Sequence, residues 1–236
     1  MKKHIPNLFT LGNLLCGCLA VITLLVDHNF EFAAYLVLAG AFLDFFDGFA
    51  ARLLHVSGEL GKQLDSLADM VTFGVVPGIF AYYLVMREVV TSTEEYSPYL
   101  CIIPLVITLM SAMRLAKFNI STDQTDSFIG VPTPANTLFW IGLPFFLDYY
   151  EFNNIYLILA LSIITSILLV VNYKMLALKF KTFGLKGNHG RWLLVVASLA
   201  AFITLTIITG NPLISLPIII ILYLIISVIN NSLSKT

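Results

Sequence analysis

Charge is scarce in this chain of 236 residues: 11% are Asp, Glu, Lys or Arg, while 58% are hydrophobic and the mean hydropathy is +0.91. A soluble domain carries about 25% charged residues. Even a large soluble domain leaves roughly 25% of its unfolded surface in contact with water, and this chain has too few polar groups to cover such a surface. A soluble enzyme and a disordered segment are both excluded. An excess of positive charge is also missing. The formal net charge is -1, which excludes a nucleic-acid binder, since that would need a basic face for phosphates.

Cysteine is nearly absent. The three present, Cys16, Cys18 and Cys101, are odd in number and lie in apolar runs, so a disulfide framework and a zinc site are excluded and they read as small membrane-buried residues. The four histidines, His4, His28, His55 and His189, are scattered without metal-binding spacing and read as solvated. The two tryptophans, Trp140 and Trp192, read as interfacial belt residues. No internal repeat or low-complexity linker divides the chain, so residues 1–236 are expected to form one domain.

Long apolar runs are abundant. Windows of the roughly 20 residues needed to cross a bilayer fall at 6–26, 31–54, 64–86, 98–117, 132–149, 154–173, 191–209 and 212–230. They are separated by polar or turn-forming stretches such as Asp27-His28-Asn29, His55 to Gly61, Ser121 to Ser127 and Gly210-Asn211-Pro212. The expected fold class is therefore all-α, a polytopic membrane bundle of about eight transmembrane helices. Lys2 and Lys3 before the first run resemble a signal peptide, but no small-residue cleavage site follows, and the segment reads as a retained first helix.

The basic residues orient the bundle, because cytoplasmic loops hold the excess of Lys and Arg. With the N-terminus inside, 12 of the 13 fall on the cytoplasmic side and Arg87 alone falls outside. Asp27, Glu31, Glu88, Glu94, Glu95, Asp148 and Glu151 lie on the far side. Both termini are thus expected in the cytoplasm. The run from Lys174 to Lys186, with Phe180 and Phe183, reads equally as a segment drawn to anionic headgroups or as topology-setting charge.

Four carboxylates break the apolar pattern: Asp44 and Asp47 at the end of the second window, Asp65 and Asp69 at the start of the third. A charge inside a membrane segment costs about 2.5–3.5 kcal/mol even on lenient insertion scales. Pairing with Arg52 or Lys62 accounts for one or two of them, not four. Asp44, Asp47, Gly48 and Ala51 share one helix face by their spacing, as do Gly61, Asp65 and Asp69 on the next helix. A short connection brings the two faces together, where four carboxylates repel unless cations offset them. With no Cys or His nearby, an all-oxygen cluster selects a hard divalent ion, Mg²⁺ or Mn²⁺, and two such ions would balance four carboxylates. Gly48, Ala51 and Gly61 read equally as room for a bulky ligand and as small residues for helix packing.

Asp44-x-x-Asp47-Gly48-x-x-Ala51-Arg52, eight residues, then Gly61-x-x-x-Asp65-x-x-x-Asp69, resembles the signature of the CDP-alcohol phosphatidyltransferases at every defined position. Further segments narrow the likeness to the bacterial phosphatidylserine synthases of that family: Pro6-Asn7-Leu8-Phe9-Thr10, Gly12-Asn13-Leu14-Leu15-Cys16-Gly17, Phe73-Gly74-Val75-Val76-Pro77, Arg114-Leu115-Ala116-Lys117-Phe118-Asn119 and Gly130-Val131-Pro132-Thr133-Pro134-Ala135. The likeness covers residues 5–136 well and the last hundred by topology alone. Lys117, Thr133 and Asn136 depart from it.

The resemblance implies transfer of the phosphatidyl group of CDP-diacylglycerol to the hydroxyl of L-serine with release of CMP, in the cytoplasmic (inner) membrane, with the active site facing the cytoplasm. It implies that Asp44, Asp47, Asp65 and Asp69 hold the metals and that Asp69 is also the general base, since a serine hydroxyl is a weak nucleophile. It further assigns Asn7, Thr10, Gly48, Ala51, Arg52 and Gly61 to the nucleotide-lipid. Arg114 and Lys117, three residues apart, are candidates for a serine carboxylate or a lipid phosphate, although flanking charge explains Lys117 equally well. Ser66, off the acidic face, reads as a helix-packing hydroxyl. The acceptor could instead be glycerol phosphate or an inositol phosphate, or the donor an archaeal lipid. In another class altogether, a cation transporter would use membrane carboxylates. The fixed register of Gly48, Ala51, Arg52 and Gly61 with the aspartates favours the enzyme. The oligomeric state is left open, a homodimer included.

Overall fold

The computed structural model of the chain describes residues 4–56, 58–92, 94–120, 128–152, 154–176, 184 and 188–233. The sequence expectations for Lys2, Lys3, Lys179, Phe180, Lys181, Phe183, Lys186, Lys235 and the stretch 121–127 lie outside the described residues.

Among the described residues, eight helical segments follow the eight apolar windows: α1 (Ile5–Asp27), α2 (Phe30–Leu53), α3 (Glu59–Thr91), α4 (Pro98–Ile120), α5 (Thr133–Tyr149), α6 (Ile155–Val170), α7 (His189–Thr209) and α8 (Pro212–Ser232). Their ends carry ordinary stop and start chemistry. The Asn29 side chain accepts from the Phe32 amide at 2.9 Å and caps α2; Asn154 does the same for α6 through Leu157 at 3.1 Å. Gly210, at φ 72°, ends α7 in the left-handed conformation that glycine reaches most easily, and Pro212 follows.

Six of the eight, all but α5 and α6, are long and apolar enough to cross a membrane. The other two are shorter than their windows, 17 and 16 residues, or about 25 Å at 1.5 Å per residue. The physical reason lies in what surrounds them. Helix α5 is enclosed by its neighbours, with Phe139, Trp140, Ile141, Gly142, Leu143 and Leu147 all buried, so protein rather than lipid faces most of its length. The chain entering α5 and the chain leaving α6 are joined by a two-residue antiparallel ribbon, Phe128–Ile129 against Lys174–Met175, just outside the two windows, and α6 ends at Val170, three residues short of its window. Trp140 is no belt residue: it is fully buried and its indole N–H donates to Thr165 at 3.1 Å. Cys101 is buried, but Cys18 is exposed on the outside of α1.

The core that sets the site is formed by α1, α2 and α3. Ala20, Leu24, Ala33, Ala34, Val37 and Phe80 are fully buried together, small side chains on α1 and α2 allowing a close crossing. Helix α3 makes a π-helical turn over Met70–Val75, directly after Asp69. Such a turn frees carbonyls from the regular ladder. Two are taken up by neighbouring threonines: Thr137 donates to Phe73 O at 3.1 Å and Thr108 to Gly74 O at 3.0 Å, while Thr72 itself donates to Asn13 O at 3.0 Å. At that crossing a Cβ on Gly17 would stand 2.5 Å from Thr72 Oγ1, so only glycine fits. In helix α7 only Leu194 is fully buried; Leu193, Val196, Leu199, Ile203, Ile207 and Ile208 are exposed on its outer face.

Candidate active site

Because the helices alternate in direction, the start of α1, the end of α2, the start of α3, the end of α4 and the start of α5 share one end of the bundle. Every candidate site residue lies there. The opposite end holds Arg87, whose guanidinium meets Asp148 at 2.8 Å, so the one basic residue expected on that side is neutralised by an acidic one.

At the site end, carboxylate oxygens of Asp44, Asp47 and Asp65 lie within 4.8 Å of one another. Asp69, one turn further along α3, stands against Asp44. Asp47 is buried; the others are half-buried. Their supports come from α1. The Thr10 hydroxyl lies 2.7 Å from Asp47 Oδ2 and donates to it, and the Asn13 amide donates to Asp69 Oδ1 at 3.4 Å. Asn13 Oδ1 is buried without a hydrogen-bond partner. Among the described residues no salt bridge joins Arg52 or Lys62 to these aspartates, so pairing with a fixed cation does not account for any of the four. The donor set is all oxygen, clustered and short of positive charge, which fits a divalent cation of the Mg²⁺ or Mn²⁺ type.

The cluster opens on a cavity of about 480 Å³ between the start of α1 and the α2–α3 connection. Asn7, Thr10, Asp47, Gly48, Ala51, Gly61 and Asp65 all line it, which unites most of the sequence-predicted nucleotide and metal residues. The glycines there are not packing residues. A Cβ on Gly48 would meet nothing within 4 Å, and one on Gly61 would touch only Asn7 Oδ1, at 3.4 Å. Arg52 is exposed and does not line the cavity.

Arg114 and Lys117 have different surroundings although three residues apart. Lys117 is exposed, whereas Arg114 is 8% exposed, donates from a terminal nitrogen to Thr133 Oγ1 at 3.2 Å and lies in the electrostatic field of Asp69. Ser66 packs as expected, exchanging hydrogen bonds with the Asn119 amide at 2.8 and 3.1 Å, and Lys62 donates to Asn119 O at 3.0 Å. These contacts fasten the acidic helix to the end of α4.

Sequence reasoning did not assign Asn13, Lys62 or Asn119 to the site. For Asn13 a signal existed: Asn7, Thr10 and Asn13 recur every third residue and therefore share one face of α1. Lys62 and Asn119 are joined only by tertiary structure.

The profile described as CDP-alcohol phosphatidyltransferase matches residues 3–229. The chain is 42% identical over 132 residues to a CDP-diacylglycerol–serine O-phosphatidyltransferase of Bacillus subtilis, a match covering 56% of this chain and 70% of the relative. A protein of the same description from Helicobacter pylori is 32% identical over 174 residues, 72% of this chain and 70% of the relative. One from Methanocaldococcus jannaschii is 29% identical over 171 residues, 72% of each chain.

Proposed function

The chain belongs to the CDP-alcohol phosphatidyltransferase family, and from that premise we propose that it transfers the phosphatidyl group of CDP-diacylglycerol to the hydroxyl of L-serine, yielding phosphatidylserine and CMP. The observation that carries this reading is the meeting of Asp44, Asp47 and Asp65 within 4.8 Å at the mouth of the cavity lined by Asn7, Gly48 and Gly61. Serine as the acceptor is supported by the described activity of the relatives from Bacillus subtilis and Helicobacter pylori.

In this reading Asp44, Asp47, Asp65 and Asp69 hold two divalent cations, Mg²⁺ or Mn²⁺, which would offset the charge of the diphosphate and of departing CMP. Asn7 and Thr10 face the nucleotide from α1, and the bare backbone at Gly48 and Gly61 admits its phosphates. Ala51 lines the same cavity, and Arg52 stands at its rim to meet a phosphate that extends beyond it. Asp69 accepts the serine hydroxyl proton as that oxygen bonds to the phosphatidyl phosphorus and the bond from phosphorus to the CMP oxygen breaks. A single displacement suffices, with no covalent enzyme intermediate. Arg114 receives the serine carboxylate, while exposed Lys117 meets lipid phosphate at the membrane surface.

In this reading the enzyme works in the cytoplasmic membrane with this end of the bundle in the cytoplasm, which the distribution of basic residues supports, as a monomer or a homodimer. The test is a product assay of purified protein with CDP-diacylglycerol and L-serine, glycerol phosphate or inositol phosphate, with and without a chelator. Phosphatidylserine formed only with divalent metal is the expected result. Preference for an acceptor without a carboxylate would overturn the serine reading and leave the family chemistry.

A further inference from the structure

The first turns of α3 carry Asp65 and Asp69 with little packing to hold them. Over Glu59–Asp69 only Ala68 is buried, and Leu60 and Leu67 are exposed. Apart from the meeting of the aspartates themselves, the hydrogen bonds that reach this stretch from other helices, among the described residues, come from two asparagines. Asn13 of α1 donates to Asp69 at 3.4 Å, and Asn119 stands at the end of α4. Asn119 contributes three polar atoms. Its Nδ2 donates to Ser66 Oγ at 2.8 Å, its Oδ1 lies 3.1 Å from that hydroxyl, and its backbone oxygen accepts from Lys62 Nζ at 3.0 Å. That oxygen is one of the last four carbonyls of α4, which have no partner within the helix, and a cation is favoured there. Asn119 is half-buried although Lys117, Phe118 and Ile120 beside it are exposed.

Lys62 and Ser66 lie one turn apart on α3, with Asp65 between them. Both ends of the turn that presents Asp65 are therefore fastened to the same residue of α4. The cluster that Asp65 joins, within 4.8 Å of Asp44 and Asp47, has no salt-bridge partner among the described residues. Carboxylates this close repel one another when ionised, and the burial of one alanine does little to keep this stretch in place. A cation site that is assembled only part of the time binds more weakly in proportion to that fraction.

We propose that Asn119 is a positioning residue for the metal cluster: through Ser66 and Lys62 it fixes the first turns of α3 so that Asp65 stays in reach of Asp44 and Asp47 before a cation arrives. The proposal rests on the reading of the aspartates as metal ligands. It ties metal affinity to the end of α4, a helix that supplies no metal ligand.

The experiment titrates the full-length protein, purified in detergent and freed of metal, with Mn²⁺ alone, following free Mn²⁺ by electron paramagnetic resonance so that no turnover is needed. Wild type and Asp47→Asn come first: if wild-type protein takes up no Mn²⁺, or Asp47→Asn takes it up as tightly, the metal reading itself fails. Given a wild-type site that Asp47→Asn weakens, Asn119→Ala and Ser66→Ala are each expected to raise the Mn²⁺ dissociation constant about tenfold. The double variant should be weaker than the weaker single one by no more than about twofold, because both substitutions remove the same pair of hydrogen bonds. Ser66→Ala deletes one hydroxyl, so the test stands even where Asn119→Ala fails to fold. Gln63→Ala, which removes an exposed hydrogen bond to Glu59 on the same turns of α3, should bind Mn²⁺ as wild type does. Wild-type affinity in Ser66→Ala or in folded Asn119→Ala, an equal loss in Gln63→Ala, or losses that multiply in the double variant would overturn the proposal.

Discussion

The Thr10 hydroxyl donates to Asp47 Oδ2 at 2.7 Å, linking the first turns of α1 to the acidic end of α2 across 37 residues of sequence. The bond orients the carboxylate of Asp47, a member of the cluster whose oxygens lie within 4.8 Å of one another. Groups that orient a metal ligand in this way typically change metal affinity by about 10- to 100-fold when removed. Thr10→Val should therefore raise the divalent-metal concentration giving half-maximal activity by about that factor, with turnover at saturating metal close to wild type. Metal titration of activity checks it. An unchanged requirement would separate Thr10 from the metal site.

Asp69 differs from the other three aspartates by its partners. Asn13 donates to it from α1, and Arg114 stands in its field. If Asp44, Asp47 and Asp65 serve as ligands, replacing any one by Asn should reduce activity strongly, with partial recovery in excess metal because affinity was lost. Asp69→Asn should not recover, because an amide cannot accept the hydroxyl proton. The assignment of the base fails if Asp69→Asn turns over near the wild-type rate at saturating substrate and metal.

Much of this site was legible because the bilayer makes charge conspicuous. Asp44, Asp47, Asp65 and Asp69 are costly where they stand, and their three- and four-residue spacings already orient them onto facing surfaces. The glycines were ambiguous in sequence, and only the open space at Gly48, against the close approach at Gly17, separates ligand clearance from packing. Hydropathy sees apolar character but not its neighbours, so it marked α5 as an ordinary span and Trp140 as interfacial when both are enclosed by protein. Asn119 stands in a motif, but its hydrogen bonds with Ser66 and Lys62 arise from the packing of α4 against α3, which spacing along one helix does not disclose.

Topology is tested by labelling single cysteines introduced at residues 58, 94 and 184 after Cys16, Cys18 and Cys101 have been replaced. Residue 58 lies between α2 and α3 at the acidic end, and residue 94 lies between α3 and α4 at the end that carries the Arg87–Asp148 pair. Positions 58 and 184 should react with a membrane-impermeant reagent only from the cytoplasmic side, and position 94 only from outside. Labelling of 94 and 184 from one side would overturn the antiparallel order of eight helices.

The last prediction sets two glycines against each other. A Cβ on Gly142 would lie 2.7 Å from Leu213 O, Leu216 Cβ and Pro217 Cδ, all of them in the backbone or bonded to it where α5 crosses the start of α8. Those atoms cannot turn aside as a flexible side-chain end could. Gly142→Ala should therefore destabilise the fold by about 1–3 kcal/mol, seen as a lower melting temperature in detergent, with activity falling in proportion to folded protein. Gly48 is the opposite case. An added methyl meets nothing, and alanine is the better helix former by up to about 1 kcal/mol, so Gly48→Ala should melt no lower than wild type. Its methyl would nevertheless enter the cavity beside Asp47 and Asp65, where the diphosphate is proposed to lie. The KM for CDP-diacylglycerol should rise while the KM for serine stays nearly constant. A variant as stable as wild type with an unaltered KM for the nucleotide-lipid would mean that the donor does not approach the α2 backbone at Gly48, and the donor would then have to enter from another side of the acidic cluster.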